Sequence, residues 1–525
     1  MKESPLISAG RAFCESGDFA SGSLKFQEAV TCDPRSARGW SHLGAALWAL
    51  TCYDDSVAAF SRSLELNSLQ PQVWNNLGLA LSSCGNNPAA IECFRQCIAL
   101  TDDFPAARSN LLLGLNYEPS LSQDEIYLEH SNWDALYGRA TTATNHYAGH
   151  KKHRSRPIRI GYVSGCFFSG HSNVYFFEPV LSAHSRPEFE ITCYSNSKRI
   201  DAGTRRLMAY ADSWRTIYGL SDDAICNLIK SDQIDILIDL SGHTEGNRLT
   251  VFARKPAPIQ ITWLGYPNTS GLQAIDYRIS CDAADPPGLT DHLHSEGLVR
   301  LPDTFLCYKP PDCARHLDNT PGPRSGPITF GCFNNVPKIC EPILEAWATI
   351  LKSVENSRLL LKSRGYKSEQ LRAKIARFFE SRHIDSKRVE MIEFIPSISE
   401  HMQLYNQVDI GLDTWPYNGT TTTCEALWMG VPVVTLTGDT HRSRVGLTLC
   451  AAIGQADLAT DSVCAYVTKA ISLAHDTAKL NELRLSLRWR MSASLLMNPF
   501  RFTQNLEAEY QRMVKINQGS SKKYW

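Results

Sequence analysis

The chain has 525 residues, 43% of them hydrophobic and 20% charged, with a net charge near −1. That length suits two to four domains, and the balanced charge gives no electrostatic footprint for nucleic acid or an anionic membrane surface. No apolar run approaches the roughly 18 residues of a spanning helix, and the stretch MKESPLISAGRAFCESGDF lacks a signal-peptide core, so a cytoplasmic location is expected. The 17 cysteines include no CxxC pair; they read as thiols in a reducing compartment, and no metal site is expected.

The first hundred residues repeat. Gly10, Gly44 and Gly78 are 34 apart, as are Phe26, Phe60 and Phe94; Trp40 and Trp74, and Leu43 and Leu77, keep the same step. A 34-residue period with W-x-x-L-G in one helix and an aromatic in the next is the pattern of tetratricopeptide repeats. About three repeats are expected over residues 1–106, the first of them degenerate, followed by a helical connector over 107–155. Asn76 precedes one Leu-Gly pair, but His42 and Ser8 occupy the equivalent places, so no regular asparagine ladder is expected. The repeats can serve protein acceptors, a folded partner or a homodimer.

From Pro157 the texture changes. RIGYVSG, FEITCYS, IDILIDLSG and PIQITWLG are short β-branched runs alternating with helical stretches, which predicts a parallel sheet with crossover helices over 156–306. Residues 307–327 are crowded with Pro and Gly and read as a linker. A second strand–helix series follows over 328–496, then a terminal helix and tail over 497–525. The fold class expected is an all-α repeat region followed by two Rossmann-like doubly wound domains, with a cleft at the carboxyl ends of the strands.

Several segments carry chemistry. In DIGLDTWPYNGTTTTCEALWMGVP, a strand runs through Gly419 into a helix opened by Thr420, Thr421, Thr422 and Thr423. A helix N-terminus with free N–H groups and added hydroxyls suits a diphosphate. Glu425, one turn in, is placed to accept ribose hydroxyls. In FGCFNNVPKICEP, another strand-to-helix turn, Lys338 can neutralise a leaving diphosphate, and Asn335 is placed on the donor side. Lys362, ending the strand LLLK, can serve likewise. Toward the acceptor, His171 follows the first strand and His243 ends another; Tyr266, Asn268 and Thr269 share a turn. A histidine there can orient a hydroxyl or take its proton.

GYVS…H, SGHT, RKPAPIQITWLGYPNTSG, DYRIS, LPDTFLCY, FGCFNN…K and DTWPYNGTTTTCEALWMGVP stand in the order found in the O-GlcNAc transferase/SPINDLY family, which the chain resembles over nearly its whole length. The resemblance implies a GT-B fold and an inverting, metal-independent transfer of one sugar to Ser or Thr hydroxyls of proteins. It gives Lys338 to the donor diphosphate, Thr421 and Thr422 to the phosphates, Glu425 to the ribose, His401 to the nucleobase and His171 to the active site. Thr420, Glu425 and Ile398 replace the His, Asp and Lys of the animal O-GlcNAc transferase pattern, and GTTTTCE, SGHT and GYPNTSG resemble the plant SPINDLY branch. The donor implied is therefore GDP-fucose or UDP-GlcNAc. Transfer to a glycan or small molecule, or an inactive repeat scaffold, are the alternatives.

Overall fold

The computed structural model describes residues 4–138, 156–315, 317 and 326–519. It resolves into two compact units. One spans Met1–Ser120, Ser325–Pro396 and Val408–Tyr417; the other spans Leu121–Arg324, Ser397–Gln407 and Asn418–Trp525. The expected connector and linker lie partly outside the described residues, at 139–155, 316 and 318–325, as does the end of the tail.

In the first unit, helices pair as the 34-residue period predicts: α1 (Pro5–Glu15) with α2 (Phe19–Cys32), α3 (Ala37–Ala49) with α4 (Tyr53–Leu66), and α5 (Pro71–Ser83) with α6 (Asn87–Leu100). The period has a packing cause. A methyl group on Gly10, Gly44 or Gly78 would come within 2.6, 2.7 or 2.5 Å of the ring of Phe26, Phe60 or Phe94. Each ring is buried against the backbone of the preceding helix, so glycine is the residue that admits it. The tryptophans repeat a second device: Trp40 Nε1 donates to the Pro34 carbonyl at 3.0 Å and Trp74 Nε1 to the Ser68 carbonyl at 2.9 Å. Gly78→Val, which gains little helix propensity, is expected to cost about 1–3 kcal/mol through overpacking, read as a lower melting temperature by circular dichroism. A melting curve superposing on the parent's would show that Phe94 moves aside freely. A further helix, α7 (Pro105–Leu115), packs against α6.

The strands are β1 (Ile158–Ser164), β2 (Phe189–Ser195), β3 (Ser213–Thr216), β4 (Ile236–Asp239), β5 (Ile259–Thr262), β6 (Tyr277–Cys281), β7 (Gly297–Leu301), β8 (Thr329–Cys332), β9 (Arg358–Lys362), β10 (Val389–Ile392), β11 (Ile410–Leu412), β12 (Val433–Leu436) and β13 (Ala459–Thr460). The first unit holds four parallel strands in the order β10-β9-β8-β11. The second holds a seven-stranded parallel sheet, β3-β2-β1-β4-β5-β6-β7, and the parallel pair β12-β13. Parallel strands covered by helices are buried on both faces, so they read as continuous apolar runs; β4 and β5 are buried at every position.

The expected linker is corrected in part. Residues 307–315 pack within the second unit: Tyr308 is buried, its N–H donates to the Leu496 carbonyl, and a single-turn helix, Asp312–Arg315, follows. Trp428 Nε1 donates to the Ala314 carbonyl at 3.1 Å. The prolines there shape a packed turn. The terminal helix runs Pro499–Gly519, and no described helix is long and apolar enough to cross a membrane.

Candidate active site

In the first unit, β8 lies between β9 and β11, so the carboxyl ends of the three strands are neighbours. Lys338 closes the 3-10 turn Val336–Lys338 after β8, and its N–H donates to the Asn335 carbonyl at 3.0 Å. Its ammonium lies 3.9 Å from the centroid of the Tyr417 ring. Desolvation pushes the lysine down to about 8, with Asp413 and Cys332 pulling the other way. Asp413, just past β11, is buried and accepts from Asn334 Nδ2 at 3.1 Å. Asn334 rather than the exposed Asn335 therefore builds this corner; Asn335 contributes its carbonyl to the turn. Lys362 ends β9 and is buried, its ammonium 5.5 Å from the centroid of the Phe394 ring.

In the second unit, the threonine run opens the helix Thr421–Trp428 as expected. Thr420 is its N-cap and makes no side-chain cap bond, so the first-turn amides and their partial positive charge head the helix. Thr420, Thr421 and Thr422 are half-buried, whereas Thr423 is buried. Gly419 is buried beside Asn418, whose N–H donates to the Arg442 carbonyl and whose Oδ1 accepts from the Gly446 N–H. One turn into the helix, Glu425 Oε2 meets His401 Nε2 at 3.0 Å and accepts from the Tyr405 hydroxyl at 3.1 Å. Tyr405 also donates to the Thr422 carbonyl at 3.2 Å. The structure thus brings together Thr422, Glu425 and His401 and adds Tyr405, which the sequence reading missed. Ile398 begins the helix Ile398–Leu404 that carries His401.

On the seven-stranded sheet, β1, β4 and β5 are neighbours. His171 lies in the loop after β1, half-buried, and its Nδ1 accepts the Asn173 N–H at 3.2 Å. Burial pushes it down to about 4. A neutral imidazole engaged at Nδ1 carries its proton on Nε2. His171 is therefore shaped to donate a hydrogen bond and is a weak base near neutral pH.

His243 and its neighbours call for a correction. The sequence places His243, Tyr266 and Thr269 on an open cleft, but all three are buried. His130, from helix α8 (Gln123–Tyr137), bonds the Tyr266 hydroxyl through Nε2 at 2.8 Å and meets the His243 ring edge-on at 5.5 Å. His243 Nε2 bonds the Ser270 carbonyl at 2.8 Å, and burial pushes its pKa down to about 4. Thr269 donates to buried Glu296 at 2.7 Å. Half-buried Asn268 accepts the Thr269 N–H on Oδ1. The SGHT turn is pinned by Asp239, which accepts from Ser241 N–H, Gly242 N–H and the Thr262 hydroxyl; burial raises its pKa to about 6. These residues form an aromatic and polar core under the strand ends, covered by α8 rather than open as expected. Among the described residues, no three His, Cys, Asp or Glu side chains gather as a metal ion would require.

The model of "Glycosyl transferase family 41" matches residues 139–321 and 320–506, and a tetratricopeptide repeat model matches 71–104. The chain belongs to glycosyl transferase family 41. It is similar to the SPINDLY protein of Oryza sativa subsp. japonica, named as a UDP-N-acetylglucosamine–peptide N-acetylglucosaminyltransferase, at 41% identity over 81% of this chain and 46% of that protein. It is similar to the Arabidopsis thaliana SEC protein, which carries the same activity in its name, at 33% identity over 69% of this chain and 37% of that protein. The chain spans about half the length of the SPINDLY relatives it matches. A lysine-to-methionine mutant of the Thermobaculum terrenum O-GlcNAc transferase has a solved structure with a TM-score of 0.89 and 34% identity, covering 98% of this chain and 97% of that one. The family 41 chain thus shares its fold of helical repeats and two Rossmann-like sheets with that enzyme.

Proposed function

We propose that this family 41 chain transfers a single sugar from a nucleotide-sugar to Ser or Thr hydroxyls of proteins, inverting at the anomeric carbon and without metal. The observation that carries the reading is the Thr421–Trp428 helix, whose threonine-rich N-terminus is followed one turn in by Glu425, held by His401 and Tyr405. That is the donor set a nucleoside diphosphate requires: N–H groups and hydroxyls for the phosphates, a carboxylate for the ribose. The names of the SPINDLY, SEC and Thermobaculum relatives support the same class.

In this mechanism the acceptor hydroxyl attacks the anomeric carbon in line with the departing nucleoside diphosphate. The C–O bond to the phosphate breaks as the new glycosidic bond forms, and charge grows on the leaving phosphate. Lys338 supplies a cation against that charge, and Thr421, Thr422 and the first-turn amides supply hydrogen bonds. His171, with Nε2–H, orients the acceptor oxygen. The hydroxyl proton leaves to water or to a phosphate oxygen. The repeats recruit the acceptor protein.

The donor is GDP-fucose or UDP-GlcNAc, with Thr420 and Ile398 favouring the former. A thermal shift of the purified chain with GDP, UDP, GDP-fucose and UDP-GlcNAc, without metal and then with magnesium, tests this. A ligand at about 100 times its Kd adds about 2.7 kcal/mol of stability. Stabilisation by the guanine pair makes it a fucosyltransferase, and by the uracil pair an N-acetylglucosaminyltransferase. If none of the four stabilises it, the transferase reading fails.

A further inference from the structure

The helical region and the Lys338 turn belong to one compact unit, and three separate contacts join them. Asn87, at the start of α6, donates from Nδ2 to the Pro337 carbonyl at 2.7 Å. Gly85, in the turn before it, has a φ of +71°, and a methyl group there would come within 2.5 Å of Val336. Tyr117, just past α7, stacks on Tyr417 with centroids 5.4 Å apart and planes 16° from parallel. The same Tyr417 ring meets the Lys338 ammonium, 3.9 Å from its centroid.

This stack does more than fill space. A long lysine side chain has several staggered rotamers and loses their freedom only where something holds it. An aromatic face attracts a cation and remains non-ionic, so it holds the ammonium without neutralising it. Asp413, the carboxylate that also acts on this lysine, would hold it as an ion pair and consume the charge needed elsewhere. The Tyr417 face can compete only while its ring keeps its orientation, and Tyr117 covers that ring.

We propose that Tyr417, backed by Tyr117 of the helical region, is a positioning residue for Lys338, so that the turn after α7 is part of the transfer machinery. The inference rests on the reading of Lys338 as the lysine that meets the leaving diphosphate. It explains why the turn, Asn87 and Gly85 are fitted so closely to the residues flanking Lys338.

The test is a double-mutant cycle on the full chain, reading kcat and the donor KM separately. Tyr117→Ala is expected to lower kcat about tenfold with donor KM within about twofold, and Tyr117→Phe, which keeps the stacking face, to restore the loss. In a Lys338→Ala background the Tyr117→Ala substitution is expected to change turnover less than twofold, because the group it positions is gone. A tenfold loss in both backgrounds would mean a structural role and overturn the inference, as would full turnover in Tyr117→Ala alone. If Tyr117→Ala fails to fold by circular dichroism, Tyr417→Leu takes its place in the same cycle. Undiminished turnover in Lys338→Ala itself would overturn the underlying assignment of the lysine, an outcome distinct from a failed cycle.

Discussion

Lys338→Ala is expected to lower turnover by about two to three powers of ten, the usual loss when one group stabilising transition-state charge is removed. The effect should fall on kcat, since a charge that develops only as the bond breaks is met only in the transition state. The pH dependence sharpens the expectation. An ordinary lysine titrates near 10.4, but desolvation by burial brings Lys338 down to about 8, against the opposing pull of Asp413 and Cys332. The cation is the useful form, and it is present below the folded pKa and lost above it. In the free enzyme kcat/KM should therefore fall as pH rises through about 8. With nucleotide bound, the added negative charge raises the pKa, so the limb in kcat should lie higher. Lys338→Arg, whose guanidinium keeps its proton throughout, should remove the limb whatever activity remains. A parent profile that stays flat from about pH 7 to 10 would reject this role.

How much of this was legible in the sequence depends on the range of the interaction. The repeats were readable because Gly78 and Phe94 recur at a fixed step for one local reason, the seat of a ring on a helix backbone. Strands such as β4 and β5 were readable because burial on both faces leaves a continuous apolar run. β3 and β7 were not, since SWRT is exposed or half-buried throughout and GLVRL is buried at only two positions. At the site, Lys338 and the threonine run stand out because a strand-to-helix turn is itself a signal. Tyr405 did not stand out: its partner Glu425 is 20 residues on, and nothing periodic links a tyrosine at one helix end to a carboxylate in the next helix. His243 shows the opposite error. A strand end places a histidine near a cleft, but whether its ring faces out depends on what covers it, and α8 brings His130 and Trp133 over it from more than a hundred residues away. Tyr417 lay inside a motif already singled out, yet its role needed Tyr117, which no spacing rule connects to it.

Glu425→Ala should raise the donor KM by about 10–100-fold, because hydrogen bonds to an ionised acceptor contribute about 1.5–3 kcal/mol. The geometry says which oxygen does this. His401 and Tyr405 both engage Oε2, and among the described residues none hydrogen-bonds Oε1, which leaves that oxygen for ribose hydroxyls. Two donors on Oε2 also fix the carboxylate rotamer before the donor arrives, so little is lost in ordering it on binding. A ribose anchor holds the substrate equally in the ground and transition states. The Kd for the nucleoside diphosphate should therefore rise in step with KM while kcat changes little. The alanine variant also takes one acceptor from the buried Tyr405 hydroxyl, which bonds the Thr422 carbonyl as well, so Tyr405→Phe is the control for indirect loss; it should move KM by much less than Glu425→Ala. A fall in kcat with unchanged KM and nucleotide affinity would instead move Glu425 from binding the ribose to acting on the reacting centre.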